Sequence, residues 1–290
     1  MRHLLDYELL SELKRGYVRQ SELSSTSQSS GADWDNTAYM YNEMTKMEKN
    51  STTYALSLLP ITSKDTVLDI GCGPGRVSIP LAKMAKRVTS LDVFGKMLEV
   101  AKQNSKEAGV KNINFIKKSW LDSDVAQVVG KHDIAFASRS VGLGDIDKLH
   151  KIAKKYVVLM CFFERSLRAI AQDLRAGIRE NPPPPPLSPK EREFERAFSY
   201  NVTFNRIYDM GANPSVHIIT DVYEKNFASR EEAYKFFRFL GEIPKNKEKA
   251  YRANIDKYVF KIKDGFRFEQ KARSYLMWWD TREIKKHKDK

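Results

Sequence analysis

The residues with the clearest chemical signature are three closely spaced glycines, Gly71, Gly73 and Gly75, which follow an apolar run that begins at Val67. Because glycine has no side chain, such a turn lets the backbone bend sharply and lets a ligand approach it closely. The turn stands between a predicted strand and a predicted helix, where open α/β sheets bind nucleotide-like ligands. The sequence therefore predicts a nucleotide-like ligand at this turn.

Two acidic residues accompany the turn. Asp69 stands two positions before Gly71, and Asp92 ends the next predicted strand. A carboxylate at the end of that strand can accept hydrogen bonds from both hydroxyls of a ribose. An acid as close to the turn as Asp69 disfavours a pyrophosphate and suits a ligand that carries an ammonium group and a sulfonium.

The segment from Asp69 to Gly75, DIGCGPG, resembles the first motif of class I S-adenosylmethionine-dependent methyltransferases. The segment from Val88 to Ala101 is similar to the second strand and following helix of that family. The resemblance implies S-adenosylmethionine as cofactor and an in-line displacement of its methyl group. It also implies that the cofactor is bound by Asp69, Gly71, Cys72, Gly73, Gly75, Asp92, Val93, Met97, Ser119, Trp120 and Ser138.

The chain departs from the family pattern at two positions. Ser119 precedes Trp120, whereas many members have an acid there that binds the adenine amino group; a hydroxyl accepts that hydrogen bond less strongly. Phe94 stands where relatives often have a serine that caps the helix. For Met97, packing of the helix against the core is an alternative to contact with adenine.

The loop Ser138-Arg139-Ser140 follows the fourth predicted strand and should face both donor and acceptor. Arg139 is a candidate for holding a carboxylate or phosphate of the acceptor, and a salt bridge that fixes the loop is the alternative. Glu164, at the end of the fifth strand, is the second candidate for positioning the acceptor. The Asn-Pro-Pro-aromatic motif typical of base amino methylation is missing from this loop, and neither Cys72 nor Cys161 fits a nucleophile for pyrimidine C5. No catalytic residue is assigned.

Only two general features of the sequence bear on the acceptor, its positive charge and an aromatic segment. The net charge is +13, and residues 225–290 contain 19 Lys and Arg against 10 Asp and Glu, an excess of +9. Such an excess suits RNA or is simply a solvated surface. An aromatic segment favours a small-molecule acceptor in an apolar site, with tRNA or rRNA as the alternative and a non-catalytic cofactor-binding interaction module as the third hypothesis. That segment contains Phe227, Tyr234, Phe236, Phe237 and Phe239.

The alternation of apolar runs and helical patterns predicts a doubly wound, mostly parallel, seven-stranded Rossmann-like sheet with helical insertions around the sixth strand. We expect an N-terminal arm and linker at 1–31, the methyltransferase domain at 32–280 with insertions at about 165–212 and 227–256, and a basic tail at 281–290. The helix predicted at 33–47 either packs on the sheet edge or covers the cofactor. The sequence has no spacing typical of metal ligands and no apolar segment long enough to span a membrane. We expect a cytoplasmic protein, because the N-terminal segment lacks the apolar run of a signal peptide.

Overall fold

A computed structural model describes residues 32–48, 51–164, 167–178 and 199–284. The expected N-terminal arm, the proline-rich segment at 181–189 and the last six residues of the basic tail lie outside the described residues. Within the described ranges, no helix combines the length and apolar character needed to cross a bilayer. The division of the chain into arm, domain and tail stays a prediction.

The first half of the chain alternates strands with helices, as the apolar pattern predicts. Two helices come first, α1 (Ala32–Lys46) and α2 (Ser51–Ser57). The alternating elements are β1 (Thr66–Ile70), α3 (Ser78–Ala82), β2 (Arg87–Asp92), α4 (Gly95–Glu107), β3 (Ile113–Lys117), α5 (Val125–Val129), β4 (His132–Ser138), α6 (Ile146–Ile152) and β5 (Ala153–Glu164). Strands β1, β2 and β4 are buried almost throughout, as expected for parallel strands that are covered on both faces.

The second half adds helices and three more strands. These elements are α7 (Leu167–Leu174), α8 (Tyr200–Asp209), β6 (Ser215–Phe227), α9 (Arg230–Phe236), α10 (Glu248–Asp256), β7 (Val259–Ile262) and β8 (Gly265–Asp280). The helix expected over 227–240 begins later, at Arg230, because the Ser229 hydroxyl accepts a hydrogen bond from the Glu232 amide and caps it. Phe227 instead ends β6.

The strands form one sheet in the order β3-β2-β1-β4-β5-β8-β6, with β7 paired to β8 off this path. Neighbours from β3 to β5 are parallel, and β8 runs antiparallel to both β5 and β6. The predicted doubly wound class is confirmed, with eight strands instead of seven because β7 adds to the first part of β8. The strand order reverses direction at β1, so the ligand crevice is expected beyond the carboxyl ends of β1, β2 and β4.

Two apolar cores cover the faces of the sheet, and a third lies beyond its carboxyl edge. Strand β5 pairs with β8 only as far as Glu164 and Arg273, whereas β6 and β8 continue together to Phe227 and Phe266. Around this extension, β7, α7, α9 and α10 form what we call the cap, whose core includes Met44 and Met47 next to α1.

The aromatic segment forms much of the core of the cap. Phe227, Tyr234 and Phe237 are buried, and Phe236 and Phe239 pack edge to face with each other at a centroid distance of 5.0 Å. Aromatic rings packed in this way stabilise a core through area and ring geometry. The expectation that part of this segment lines an apolar substrate site therefore has no support from the packing.

Candidate functional site

The glycine-rich turn has a backbone that other residues adopt only with strain. Gly71, Gly73 and Gly75 have φ values of +67°, +52° and +86°. A Cβ on Gly71 would lie 2.5 Å from Cβ of Ser140, so the turn also presses closely against the loop after β4. Both observations explain why glycine is needed here. Backbone hydrogen bonds fix the turn: the Gly71 and Cys72 amides donate to the Leu91 carbonyl at 2.8 and 3.0 Å, and the Gly75 amide donates to the Cys72 carbonyl at 3.0 Å.

Asp92 links the turn to the end of β2. One carboxylate oxygen accepts a hydrogen bond from the Gly73 amide at 2.8 Å, and the other accepts one from the Phe94 amide at 3.0 Å. Burial raises the pKa of Asp92, against the effect of these amide hydrogen bonds. A carboxylate has about four lone-pair positions, so each oxygen can still accept a further hydrogen bond, such as one from a ribose hydroxyl.

Asp69 lies under the turn, with only 1% of its surface exposed. Its carboxylate accepts a hydrogen bond from the Ser78 hydroxyl, which in turn accepts one from the Ser90 hydroxyl at 2.8 Å. Burial raises the pKa of Asp69 to about 6. The neighbouring Cys72 is also buried, and burial raises the pKa of its thiol well above the usual range. The contacts of Asp69 therefore join β1 to the start of α3, and its predicted contact with the ligand stays a prediction.

The residues predicted to surround the adenine divide into exposed and buried ones. Val93 is 44% exposed beside Asp92, whereas Met97 and Trp120 are each 2% exposed. The Trp120 ring belongs to one of the sheet cores, and Nζ of Lys148 lies 4.9 Å from its centroid. The Ser119 hydroxyl accepts a hydrogen bond from the Leu121 amide at 3.1 Å. The burial of Met97 agrees with the alternative that it packs in the core. Val93 is the exposed residue of this group.

Helix α1 lies against α4 and beside the turn. The Asp35 carboxylate accepts a hydrogen bond from the Lys96 amide at 2.9 Å, in the first turn of α4. Asp35 thereby replaces the cap that Phe94 cannot provide. The Asn104 side chain donates to the Asn42 amide oxygen at 2.8 Å and to the Pro74 carbonyl at 2.9 Å. Helix α1 therefore packs on α4 beside the glycine turn, and the residues at its end also reach the edge strand β6, where the Met47 carbonyl accepts a hydrogen bond from the Glu224 amide at 2.9 Å. That α1 covers the cofactor stays a prediction.

A buried ion cluster, which we define as Glu48, Arg76, Arg139 and Asp221, lies next to this turn at the carboxyl edge. Each of these side chains is at most 9% exposed. One Glu48 oxygen lies 3.1 Å from Nη1 of Arg76 and the other lies 2.8 Å from Nη1 of Arg139. Nη2 of Arg139 lies 3.4 Å from a carboxylate oxygen of Asp221. The cluster joins the end of α1, the turn, the loop after β4 and strand β6.

Neutral groups complete the contacts of Glu48. Its carboxylate accepts hydrogen bonds from the Thr52 hydroxyl at 2.8 Å and the Tyr223 hydroxyl at 3.1 Å. Burial alone would raise the pKa of Glu48, but Arg76 and Arg139 outweigh that effect and lower the pKa to about 2. Glu48 is therefore an anion at every physiological pH, held by two cations.

Arg139 has the only positive φ among the non-glycine residues that the structure describes, at 51°. Its guanidinium carbon lies 3.8 Å from the Phe162 ring centroid, and Nη2 donates to the Ser274 hydroxyl at 3.3 Å. Strain of this kind amounts to about 1–3 kcal/mol and persists where the surroundings fix the residue, commonly at functional sites. Two roles were predicted for Arg139, holding the acceptor or forming a salt bridge that fixes the loop. The structure shows the salt bridge, with Glu48 and Asp221 as partners.

The remaining predicted positions are less informative, and several members of the cluster were not predicted. The Ser138 hydroxyl accepts a hydrogen bond from Arg76 at 2.5 Å. Glu164 is the last residue of β5 and pairs in register with Arg273; its side chain is outside the described part of the structure. Glu48, Arg76 and Asp221 were not predicted, because charged residues scattered over the chain have no local pattern that marks them as buried together.

Comparison with known proteins gives a domain assignment. Residues 61–175 match the family model described as a methyltransferase domain. An uncharacterized protein of Haemophilus influenzae is 28% identical over 243 residues, 79% of this chain and 81% of that protein. The 23S rRNA (uracil(1939)-C(5))-methyltransferase of Pasteurella multocida is 34% identical over 73 residues, 25% of this chain and only 16% of that enzyme.

Solved structures with a similar fold are more distant. A precorrin-6y C5,15-methyltransferase from Geobacter metallireducens has 14% identity and a TM-score of 0.43, over 79% of this chain and 86% of that one. An RNA methyltransferase from Salinibacter ruber in complex with S-adenosyl-L-homocysteine has 20% identity and a TM-score of 0.33, over 39% of this chain and 74% of that one. At these values the likeness carries no conclusion about activity or substrate.

Proposed function

We propose that this protein, a Rossmann-like methyltransferase that uses S-adenosylmethionine, transfers the methyl group to a small-molecule acceptor by in-line displacement. The single observation that supports the proposal most is the pairing of the strained glycine turn with Asp92, whose carboxylate accepts the Gly73 amide at 2.8 Å. This pairing creates a backbone surface and a carboxylate side by side at the switch point of the sheet. Both are what the ribose and amino-acid ends of the donor require.

S-adenosylmethionine supplies an activated methyl group on a sulfonium when it is bound. The backbone of residues 71–75 would lie along its amino-acid part, with Asp69, Cys72 and Ser138 beside it. Asp92 would accept hydrogen bonds from the ribose hydroxyls, and Val93, with Met97, Ser119 and Trp120 nearby, would border the adenine. The protein's main contribution is alignment, because the donor is already activated and the displacement needs close approach along one line.

The surroundings of the turn favour a small acceptor. The loop at Ser138 and Arg139, which should face the acceptor, has buried side chains, and the Arg139 guanidinium stacks on Phe162 beside the core of the cap. Buried side chains of this kind suit a small ligand better than a folded nucleic acid, which needs an open surface of Lys and Arg.

RNA is the second candidate, supported by the +9 excess in residues 225–290 and by the short match to an rRNA methyltransferase. The uracil-C5 reaction named for that relative does not transfer easily, because it would need a nucleophilic thiolate and burial raises the pKa of Cys72. Fluorescence titration with bulk tRNA at 50 and 200 mM salt tests this candidate. Binding that weakens by a factor of ten or more with salt would favour RNA over a small molecule.

Calorimetry with S-adenosylhomocysteine tests donor binding. We expect Asp92→Asn to weaken affinity at least tenfold, because an amide cannot accept from both hydroxyls and charged hydrogen bonds contribute about 1.5–3 kcal/mol each. Asp122→Asn is the matched control, because Asp122 is 45% exposed and pairs with Lys118 at 3.2 Å on the surface. Absence of binding by the wild-type protein would contradict the proposal.

Turnover separates an enzyme from a non-catalytic cofactor-binding module. Release of S-adenosylhomocysteine is followed while the protein and S-adenosylmethionine are incubated with a panel of small amines, phenols and thiols, half of which carry a carboxylate. Release that depends on one acceptor class supports the proposal. Tight cofactor binding without release for any small molecule or RNA would favour the module.

A further inference from the structure

The buried ion cluster contains more arginine binding capacity than Glu48 uses. Glu48 contacts the terminal nitrogens of Arg139, while Nε of Arg139 is buried without a hydrogen-bond partner in the described structure. Oδ1 of Asp221 is likewise buried and unpartnered there. Buried polar atoms are nearly always hydrogen-bonded, so these two atoms of one cluster have unused capacity to bind a further polar group.

Arg139 also presents its guanidinium in a rigid way. It is stacked on Phe162, its backbone amide donates to the Met160 carbonyl at 2.9 Å, and its φ of 51° is unusual for a residue with a side chain. A planar guanidinium held by stacking is suited to bidentate pairing with a carboxylate, through Nε and one terminal nitrogen.

We infer that Arg76 and Arg139 form a binding site for a carboxylate of the methyl acceptor, and that this carboxylate takes the place of the Glu48 carboxylate when the acceptor binds. The inference rests on the proposed methyltransferase function. Glu48 directly follows α1 and contributes the one anion that touches both arginines. When an acceptor carboxylate replaces it, both buried arginines stay paired, and the Glu48 carboxylate has to move out to solvent.

The position of Arg139 in the sheet assigns the site to the acceptor and not to the donor. Its side chain contacts Phe162 of β5, Asp221 of β6 and Ser274 of β8. These strands form the half of the sheet on the other side of β4 from β1 and β2, which carry the turn and Asp92. A group bound there lies beyond the donor, on the side from which an acceptor enters.

The charge balance selects a carboxylate over a phosphate. Two arginines face two acids, Glu48 and Asp221, so replacement of Glu48 by a carboxylate leaves the net charge of the cluster unchanged. A phosphate dianion would add a second negative charge near Asp221 in a region with little solvent. The two oxygens of Glu48 already occupy separate positions, one towards Arg76 and one towards Arg139.

Titration with benzoate, with benzamide as its neutral counterpart, tests the site at constant ionic strength with and without S-adenosylhomocysteine. We expect Glu48→Gln to bind benzoate at least ten times more tightly than the wild-type protein, because the competing carboxylate is gone. Glu43→Gln is the matched control, because Glu43 lies on α1 outside the buried ion cluster and pairs with the exposed Lys46 at 3.6 Å. It should behave as wild type, and benzamide should bind to none of them.

Two further variants keep the test decisive. The double variant Glu48→Gln/Arg139→Met should lose the gained affinity for benzoate. Glu48→Asp keeps the charge but shortens its reach, so it should fall between wild type and Glu48→Gln, and it replaces Glu48→Gln if that variant does not fold. Unchanged benzoate affinity in the folded variant, or phosphate binding tighter than benzoate binding, would overturn the inference.

Trp34 provides a structural readout of the exchange. It lies on α1, is 43% exposed, and its ring is 5.3 Å from the ring of Tyr41. We expect saturating benzoate to change the emission of the wild-type protein as Glu48 leaves the cluster, and Trp34→Phe should remove that change. Unchanged Trp34 emission at saturation would contradict the displacement of Glu48.

A comparison of two ligands tests whether the carboxylate bound by Arg76 and Arg139 belongs to the donor instead of the acceptor. If the donor's carboxylate were the occupant, Glu48→Gln would strengthen binding of S-adenosylhomocysteine tenfold but leave 5′-methylthioadenosine, which lacks the amino-acid part, unchanged. That result would overturn the assignment to the acceptor. Failure of the proposed function itself looks different, because S-adenosylhomocysteine would not bind to any variant while the benzoate arm could still succeed.

Discussion

Asp69→Asn should stabilise the protein at neutral pH, although it removes an acid from the most distinctive motif of the chain. The carboxyl group is fully buried, and burial raises its pKa from 3.8 to about 6. Because the folded protein binds the proton more tightly than the unfolded chain, this residue's contribution to stability is greatest at low pH. That contribution is lost as the pH rises from about 4 through 6.

The magnitude follows from the pKa difference. A shift of about two units corresponds to about 3 kcal/mol at pH 7.5, where Asp69 is ionised in both states, and to about 1 kcal/mol at pH 4.5. An asparagine stays neutral, and its amide oxygen can still accept the hydrogen bond from Ser78. We therefore expect the variant to exceed wild type in the free energy of unfolding by up to about 3 kcal/mol at pH 7.5 and by less at pH 4.5.

Urea unfolding of both proteins at pH 4.5, 6.0 and 7.5 measures this difference. Asp65→Asn is the control of opposite sign: hydrogen bonds from Lys155 and Thr62 outweigh burial and lower the pKa of Asp65. That variant should be less stable than wild type, and the deficit should shrink as the pH falls. If Asp69→Asn were less stable than wild type at pH 7.5, the reasoning would be refuted, because the ionised carboxylate would then stabilise the folded protein.

Two further predictions concern the turn and the helix beside it. Gly71→Ala should destabilise the protein and abolish binding of S-adenosylhomocysteine, because its Cβ would meet Ser140 at 2.5 Å; Gly109→Ala, with a similar φ of +69° and no atom within 4 Å, measures the backbone strain alone. If both substitutions lower the melting temperature equally, the close approach is not the reason for the glycine. Asp35→Ala should cost about 1 kcal/mol because Lys96 loses its cap, and Asp35→Asn should restore most of it in urea unfolding. Equal stability of all three proteins would argue against the cap.

The elements that the sequence predicts well are those with a strong local pattern. Strands such as β1 are mostly apolar because parallel strands are buried on both faces. The glycines of the turn can be recognised from the sequence because their positive φ values favour glycine. Less regular parts were predicted less well. The segment at 227–240 is rich in aromatics, which suit a helix, a strand or a core equally, and only its packing in the cap separates Phe227 of β6 from the helix that begins at Arg230.

The structure brings part of the predicted site together and adds partners that the sequence did not indicate, while the predicted contacts with ligands stay predictions. The sequence brought the glycine turn and Asp92 together because both follow strands that end at the same edge of a parallel sheet. It identified Arg139 by the same rule. It did not identify Glu48 or Asp221 as its partners, since Glu48 precedes Arg139 by 91 positions and Asp221 follows it by 82, in an antiparallel part of the sheet.

The sequence by itself determined the doubly wound class and the glycine-rich turn after β1, because each depends on local residue types and on the order of strands and helices. The ligands expected at this turn and at the loop after β4 stay predictions. Only the tertiary structure decided what Arg139 contacts, that Asp35 caps α4 in place of Phe94, and that the aromatic segment fills the core of the cap. Those outcomes depend on burial and on contacts between residues far apart in the chain. A charged or aromatic side chain has no fixed partner until folding brings one into contact. The local sequence pattern does not show which distant residue that will be.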